Sequence, residues 1–340
     1  MASGKRVTIR TVAEDAGVSV AAVSKVLREA YGVSEALRAR VQESMQKLGY
    51  RPHAAARGMR GQTYTLGFII PDLHNPFFAD ILAGLNDALE RTQYQPLLGI
   101  SNSVAQTEVA VAEAMIDRRM DGIILIGARM PEEQLRDFAS RIPIVIIAYY
   151  AGEHDNFDTV NNDDQHGARL VVEHLVASGY RHIAYLSQDL HQRAAAQVTA
   201  QRETGFRAAM KAAGLSKHVQ VAHALQTSRE TQAVARHLLE SRNRPEAIFC
   251  WTDFIALEVL SVARDMGLSV PGDLAVVGYD NTSYCDLAQN ALTSIDQSGQ
   301  VLGLQAARLL IERIKGRDKP EHFVVTPRLV ARNSSQPRAR

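Results

Sequence analysis

The sequence predicts an α/β protein in which an N-terminal helix-turn-helix head precedes a core of two doubly wound lobes, each built on a parallel sheet. Three observations lead to this prediction. Short helical patterns with capping residues fill the first 50 residues, strand and helix patterns alternate in two series from residue 62, and positive charge is concentrated in residues 1–61.

The charge distribution divides the chain more sharply than its net charge of +1 suggests. Residues 1–61 carry a net charge of +6, and the rest of the chain carries −5. A basic head on a mildly acidic body favours a polyanionic partner, because Lys and Arg side chains that neutralise phosphates release counterions. A solvated basic face is the alternative, so charge alone does not identify the partner.

The first two predicted helices are short and capped. Apolar residues at 9, 12, 13 and 16 repeat with the helical period, Thr8 is the expected N-cap, and Gly17 ends the helix. Ser19 then caps a second helix, whose buried side is predicted to be Ala22, Val23, Val26 and Leu27. Its outer side is predicted to be Val20, Ala21, Ser24, Lys25 and Arg28. The small residues on this outer side would let the helix enter a DNA major groove and place a cation against guanine.

A third helix and a short linker complete the head. Ser34 caps the third helix, which is predicted to bury Leu37, Val41, Met45 and Leu48 and to end at Gly49. Three such helices with a glycine turn between the first two form a helix-turn-helix. Pro52 begins a hinge helix within residues 50–61 that is too short to be stable alone, so we expect it to order only on DNA.

These segments resemble the head of the LacI/GalR family of bacterial transcriptional repressors. The resemblance rests on Val7-Thr8-Ile9, Val12-Ala13, Ala16-Gly17-Val18-Ser19, Val23-Ser24-Lys25-Val26-Leu27, Val33-Ser34, Leu48-Gly49-Tyr50-Arg51-Pro52 and Ala54-Ala55-Ala56-Arg57, and it extends through the body to about residue 333. It implies a homodimer whose second helices read the major grooves of a pseudopalindromic operator and whose hinge helices enter the minor groove.

The resemblance also implies the residues that contact DNA. Base readers would be Val20, Ala21 and Lys25, with Arg28 beside them; backbone contacts would be Thr8, Ser19, Ser24, Ser34 and Tyr50; hinge contacts would be His53 and Ala56, with Met59 as the apolar wedge. Lys25 stands where the family more often has Arg. Because Lys cannot form a bidentate fork, we expect weaker or more tolerant guanine recognition.

The body shows two series of alternating strands and helices. Predicted strands are 65–70, 96–101, 122–126 and 144–148 in the first series and 182–187, 219–223, 247–251 and 274–278 in the second; predicted helices are 77–92, 105–119 and 132–140, then 164–178, 200–213, 229–241 and 253–266. Runs at 292–295 and 322–330 are interpreted as crossovers between lobes. This series of strands and helices from residue 62 onward resembles the type I periplasmic-binding-protein fold that the family uses.

These patterns predict four regions. They are a head at 1–49, a hinge at 50–61, a core at 62–333 and a disordered tail at 334–340. The first lobe would comprise about 62–160 and 291–322, and the second about 161–290 and 323–333. The tail contains no leucine heptad, so we expect a dimer rather than a larger assembly.

Ligands of parallel sheets bind beyond the carboxyl ends of the strands, in the cleft between lobes. There the resemblance implies an effector site made of Asn75, Phe77, Phe78, Tyr149, Arg202, Trp251, Thr252, Asp280 and Gln297. Four of these residues also have a purely structural interpretation. Phe77 and Phe78 can be core residues, Arg202 can be an exposed surface arginine, and Asp280 can accept the hydrogen bond of a local turn. Asp163 is interpreted as structural, at a helix N-terminus.

Effector identity does not carry over from the family. Ala148 stands where many members have Asp, and Thr252 replaces a usual Asn. The aromatic and mixed polar pocket favours a sugar or a sugar acid.

The sequence offers little support for other classes of protein. It contains no P-loop, GxSxG, HExxH or GxGxxG motif and no metal-ligand spacing of histidines, so no enzyme activity, cofactor or metal is expected. Its apolar runs are shorter than a membrane span, and its N-terminus lacks the apolar core of a signal peptide. We therefore expect a cytoplasmic, nucleoid-associated repressor without membrane contact; the alternative is a solute-binding receptor of the periplasmic type without a DNA role.

Overall fold

The structure is a computed structural model that describes residues 7–27, 30–50, 62–150, 156–188, 198–225 and 227–336. The chain divides into two compact units, Met1–Thr63 and Tyr64–Arg340. Each unit has its own hydrophobic core.

The first unit contains the three predicted helices, α1 (Ile9–Asp15), α2 (Val20–Leu27) and α3 (Glu35–Leu48). Their predicted caps are confirmed. The Thr8 hydroxyl accepts a hydrogen bond from the Thr11 amide, Ser19 Oγ accepts from the Ala22 amide at 3.1 Å, and Ser34 Oγ accepts from the Leu37 amide. Gly49 ends α3 with φ of 62°, a left-handed conformation that favours glycine.

The head buries a small core, and one predicted orientation is wrong. Val12, Val23 and Val41 are fully buried where the three helices meet. Ser24, predicted on the outer side of α2 as a DNA contact, is instead buried with only 7% of its surface exposed. The reason is that α2 packs against both α1 and α3, so its buried face is wider than the four positions that the apolar period indicates.

The second unit contains the predicted two lobes with doubly wound sheets. Each sheet has six strands in the described part of the chain, and all of them run parallel to their neighbours except the strand at residues 328–330.

The strands and helices of this unit alternate along most of the chain. In chain order they are β1 (Thr65–Ile70), α4 (Phe77–Leu89), β2 (Gln95–Ile100), α5 (Ala105–Asp117), β3 (Gly122–Ile126), α6 (Glu132–Arg141), β4 (Ile144–Ile147), β5 (Asp158–Asn162), α7 (Asp164–Ala177), β6 (Ile183–Gln188), α8 (Val198–Ala212), β7 (Gln220–Ala224), α9 (Ser228–Glu240), β8 (Ala247–Cys250), α10 (Asp253–Asp265), β9 (Ala275–Asp280), β10 (Thr293–Asp296), α11 (Gly299–Ile314), β11 (His322–Val325) and β12 (Arg328–Val330). The first sheet has the strand order β11-β5-β4-β3-β1-β2, and the second has the order β12-β10-β9-β8-β6-β7. None of the helices within the described ranges has the length and apolar content of a membrane span.

The crossings between lobes differ from the predicted ones by a few residues. β10 pairs with β9 in the second sheet, although the sequence pattern assigns residues 291–296 to the first lobe. β11 pairs with β5 in the first sheet, and only β12 returns to the second. The strand β5 and the helix α11 were not predicted. β5 reads Asp-Thr-Val-Asn-Asn and lacks an apolar run, and α11 has two glycines within its first five residues, which lowers its helix propensity.

The predicted disordered tail is wrong for residues 334–336. Ser334 and Ser335 lie in a short 3₁₀ turn and are buried. Ser334 Oγ donates to the Val276 carbonyl at 2.6 Å, and the hydroxyl of Tyr180 donates to the carbonyl of Gln336 at 2.9 Å. Hydrogen bonds therefore anchor this segment in the second lobe despite its polar composition.

Helices α4 and α11 cross with backbone in contact because glycines face each other. A Cβ atom at Gly303 would lie 1.9 Å from the Ile81 carbonyl oxygen, and one at Gly84 would lie 1.9 Å from that of Gln300. This crossing fixes the loop that precedes α4 relative to α11, and both segments border the cleft between the lobes.

We expect Gly303→Ala to lower the free energy of unfolding by about 3 kcal/mol or more, because a backbone atom cannot move aside as a side chain can. Urea denaturation followed by circular dichroism measures this. Gly99→Ala is the matched control, since the nearest neighbours of its Cβ would be side-chain atoms of Val111, Met115 and Ile69 rather than backbone atoms. Equal losses in the two variants would show that the helix crossing is not tightly constrained.

Candidate functional site

All nine residues predicted to contact an effector line one cleft between the lobes. Most of them lie at or just beyond the ends of strands, whereas Arg202 lies on α8. Phe77 and Phe78 begin α4 after β1, Trp251 and Thr252 follow β8, and Asp280 ends β9. The cleft has the placement of ligand sites in doubly wound folds.

Arg202 is the centre of the cleft's polar network. It lies on α8 with only 4% of its surface exposed, so its interpretation as an exposed surface arginine is wrong. Its Nε donates to Asp164 Oδ1 at 2.7 Å, and one terminal nitrogen donates to the Trp251 carbonyl at 2.7 Å. The other donates to Gln297 Oε1 at 3.2 Å. Every nitrogen of this guanidinium group therefore has a protein partner.

Two aromatic rings lie close to the same guanidinium group. Its central carbon lies 3.6 Å from the centroid of the Tyr279 ring and 5.3 Å from that of the Trp251 ring. Both distances are within the range of cation–π attraction. Arg202 is thereby held in one orientation, with its charge at the floor of the cleft.

Asp280 connects the two lobes. It lies in the second lobe, and its Oδ2 accepts a hydrogen bond from Asn75 Nδ2 of the first lobe at 2.9 Å. Its Oδ1 accepts from Gln297 Nε2 at 2.5 Å, and Gln297 in turn accepts from Asn162 Nδ2 of β5 at 3.1 Å. Because both amide groups reach Asp280 from other segments, the carboxylate does more than accept a local turn hydrogen bond.

The conformation and pKa of Asp280 are both unusual. Its φ is 116°, which non-glycine residues rarely adopt and which is typical of functional sites. Burial raises the pKa of Asp280 above its ordinary value, and the nearby Asp253 raises it further. Arg202 and the two amide donors act in the opposite direction on that pKa.

The aromatic residues at the first-lobe side serve both the core and the cleft. Phe77 is buried in the first-lobe core, and Phe78 packs against that core while half-exposed. Tyr149 is buried with its ring edge against Phe157. Their interpretation as core residues is therefore compatible with a role in the cleft wall.

One threonine and one aspartate, Thr252 and Asp163, cap helices. The hydroxyl of Thr252 accepts from the Ile255 amide and so caps α10. Asp163 Oδ1 accepts from the His166 amide at 2.9 Å and caps α7, as predicted.

Sequence reasoning missed three polar residues of the cleft, Asp164, Asn162 and Arg129. Asp164 pairs with Arg202 and accepts from the Tyr150 hydroxyl at 2.7 Å, and burial beside this carboxylate raises the pKa of Tyr150. An acid at a predicted helix start gives no signal of this role, since such residues usually interact with the helix dipole. Asn162 lies on the strand β5 that was not predicted.

Three polar atoms of the cleft wall are buried without a hydrogen-bond partner. They are Trp251 Nε1, Asn162 Oδ1 and Arg129 Nε. Since buried polar groups are normally paired, these atoms mark where a ligand can contribute donors and acceptors.

The head presents part of the predicted DNA-contact set on its surface. Val20 is 41% exposed, and Ala21 and Lys25 are also exposed on α2. Thr8, Ser19 and Ser34 are exposed at helix starts, whereas Tyr50 is half-buried against the head core. Arg28, His53, Ala56 and Met59 lie outside the described residues.

A metal-binding arrangement is absent from the part of the chain that the structure describes, where no three His, Cys, Asp or Glu side chains converge.

Known proteins resemble the chain over nearly its whole length. Residues 8–53 match the bacterial regulatory proteins of the lacI family, and residues 172–335 match a periplasmic binding protein-like domain. Catabolite control protein A of Priestia megaterium is 32% identical over 324 residues, which cover 94% of this chain and 96% of that protein. The HTH-type transcriptional repressor PurR of Aliivibrio fischeri (strain MJ11) is 30% identical over 335 residues, which cover 96% and 98%. The solved complex of the transcriptional regulator CelR with cellobiose aligns with a TM-score of 0.71 and 28% identity, covering 97% of this chain and 100% of that one.

The raised pKa of Asp280 predicts a pH dependence of stability. Above about pH 4, the ordinary pKa of Asp, the folded state holds a proton that the unfolded state has lost, until pH passes the raised pKa. Within this window Asp280 makes the free energy of unfolding fall as pH rises, by at most about 1.4 kcal/mol per pH unit. Asp280→Asn should remove this slope in urea titrations at several pH values.

The exposed Asp265→Asn is the control and should keep the wild-type slope. A wild-type slope in Asp280→Asn would show that the Asp280 carboxyl group is ionised normally in the folded protein.

Proposed function

Because the chain belongs to the LacI family of DNA-binding bacterial regulatory proteins, we propose that it is a transcriptional repressor whose operator affinity is controlled by a sugar or sugar acid bound in the cleft. The observation that carries the effector part is the convergence of all nine candidate residues on one cleft. The lacI-family match at residues 8–53 and the relative PurR, which is named a transcriptional repressor, support the DNA part.

The chemistry of the cleft supports a polyol-like effector. Phe77, Phe78 and Trp251 offer faces for a sugar ring, and the unpartnered Trp251 Nε1 and Asn162 Oδ1 offer a donor and an acceptor for hydroxyl groups. The related CelR was solved with a sugar, cellobiose.

Operator reading is assigned to α2. Val20, Ala21 and Lys25 form an exposed edge with one cation, suited to the floor of the major groove. This function places the protein with the bacterial nucleoid in the cytoplasm.

A homodimer is proposed because two heads are needed to read a pseudopalindrome. Two adjacent leucines on the edge strand β2, Leu97 and Leu98, are each 46% exposed, so both faces of this strand are uncovered. Tyr284 and Leu287 form a second exposed apolar pair, in the second lobe. We assign these two pairs to the surface that a second copy of the chain covers.

The defining experiment is a gel shift with a duplex selected from random sequences by the full chain. The repressor function predicts that the full chain binds the duplex and that residues 62–340 do not. Equal binding by both, or none by either, would favour a solute-binding receptor that uses the same cleft without DNA.

Lys25→Ala should weaken binding to the selected duplex by about 1 to 3 kcal/mol and relax the base preference at one position in each half-site. Fluorescence anisotropy with single-base variants of the duplex measures both effects. Lys47→Ala is the control, since Lys47 lies on α3 and pairs with Asp15. Wild-type affinity and selectivity in Lys25→Ala would exclude this residue as a base reader.

Replacing both Leu97 and Leu98 by Asp should convert the dimer to a monomer, because two charges would lie in an apolar interface. Light scattering coupled to size-exclusion chromatography reports the mass. Val324→Asp is the matched control, because Val324 is exposed on β11 at the opposite edge of the same sheet. A dimer that survives the double substitution would place the interface elsewhere.

A further inference from the structure

We propose that the effector carries an anionic group, a carboxylate or a phosphate, and that Arg129 of the first lobe binds it. This inference rests on the proposed cleft function and narrows the class of compound that the cleft accepts. Its basis is a comparison of the direct partners of each ionisable side chain in the cleft.

Four ionisable side chains line the cleft, Arg129, Arg202, Asp164 and Asp280. Arg202 and Asp164 form an ion pair at 2.7 Å, so their charges compensate. Each oxygen of Asp280 accepts a hydrogen bond from an amide group, one from Asn75 and one from Gln297. Arg129 differs from these three, because its guanidinium group has no hydrogen-bond or ion-pair partner among the described residues.

Arg129 lacks side-chain partners among the described residues. Its Nε atom is buried without a hydrogen bond, and its guanidinium group forms no ion pair with a residue of the described ranges. The acidic residue with an electrostatic effect on this guanidinium group is Glu108, which is itself buried. However, Glu108 Oε1 accepts hydrogen bonds from the backbone amides of Arg129 and Met130, at 2.9 and 3.0 Å. Glu108 therefore anchors the loop after β3 and acts on the guanidinium group only through space.

The position of Arg129 fits recognition of a ligand. An arginine remains charged in proteins, so its partial burial costs free energy unless an anion pairs with it. Burial indeed lowers the pKa of Arg129, which shows the direction of this cost. The planar group offers paired donors that match the two oxygens of a carboxylate or phosphate. Arg129 faces the cleft from the first lobe, whereas Arg202 belongs to the second.

The first test needs no ligand. Arg129→Met removes a charge that has no direct partner while keeping a long side chain, so we expect the melting temperature of the ligand-free full-length protein to fall by no more than about 4 °C or to rise. A larger fall would show that Arg129 is a structural residue and would overturn the proposal.

The second test compares neutral and anionic forms of the same sugars. Thermal shift and calorimetry are run with D-glucose, D-galactose, D-mannose and D-ribose, with their aldonates, and with their terminal phosphates. We expect one or more anions to bind more tightly than the neutral parent; the aldonate and phosphate arms tell which anionic group is accepted.

Variants of Arg129 then assign the contact. Arg129→Gln should weaken binding of that anion on the order of 10- to 100-fold, the loss expected for hydrogen bonds to a charged group. Arg129→Lys should restore part of the affinity, and Arg91→Gln, which removes an exposed arginine of the same lobe outside the cleft, should leave it unchanged.

Two results would overturn the proposal. One is that the neutral sugars bind as tightly as their anionic forms, and the other is that Arg129→Gln binds the anion with wild-type affinity. Binding by no compound of the panel would reject it together with the sugar-derived effector. Operator binding without ligand is measured separately by the gel shift, so a failure of the sugar panel leaves the DNA-binding function standing.

Discussion

A buried ion pair, Arg202 with Asp164, is the interaction on which the arrangement of the cleft depends. Both side chains are almost fully buried, so each charge must be compensated inside the protein. The guanidinium group meets this need by contacting the start of α7, the carbonyl after β8, the ring of Tyr279 and the amide of Gln297. Removing one partner of such a pair typically costs about 3 to 5 kcal/mol. The Arg202 guanidinium group therefore holds four other segments of the chain together at one place in the cleft.

From that point a chain of hydrogen bonds reaches across to the first lobe. Gln297 contacts Arg202 on one side and Asp280 on the other, and Asp280 contacts Asn75. A ligand that enters the cleft must add to these bonds or replace them. Because the bonds join the lobes, any change in them favours one arrangement of the lobes over another, which is the physical requirement for an effector to act at a distance.

Much of the fold could be predicted from the sequence, and the failures share one cause. Strands such as Ile144–Ile147 and capped helices such as α3 follow from apolar periodicity and from local hydrogen bonds. The mostly polar strand β5, the buried Ser24 and the anchored Ser334 are placed by tertiary contacts, which apolar patterns do not encode.

In the cleft, too, some residues could be predicted from the sequence and others are defined only by tertiary contacts. Arg202 and Asp280 could be predicted because their segments resemble a family, whereas Asp164 and Arg129 occupy positions with no local signal. The importance of Asp164 and Arg129 for the cleft becomes visible only from the side chains around them. Asp164 matters because it compensates Arg202, and Arg129 stands out only once the partners of every other charge in the cleft are known.

We propose that effector binding in the cleft and operator binding by the head are coupled, and a reciprocal titration tests this coupling most directly. The affinity of the full chain for its selected duplex is measured with and without saturating cleft ligand, and the affinity for that ligand is measured with and without the duplex. We predict that both affinities change by the same factor, typically about 5- to 150-fold for coupled sites. A ligand that binds in the cleft while leaving duplex affinity unchanged would contradict the account.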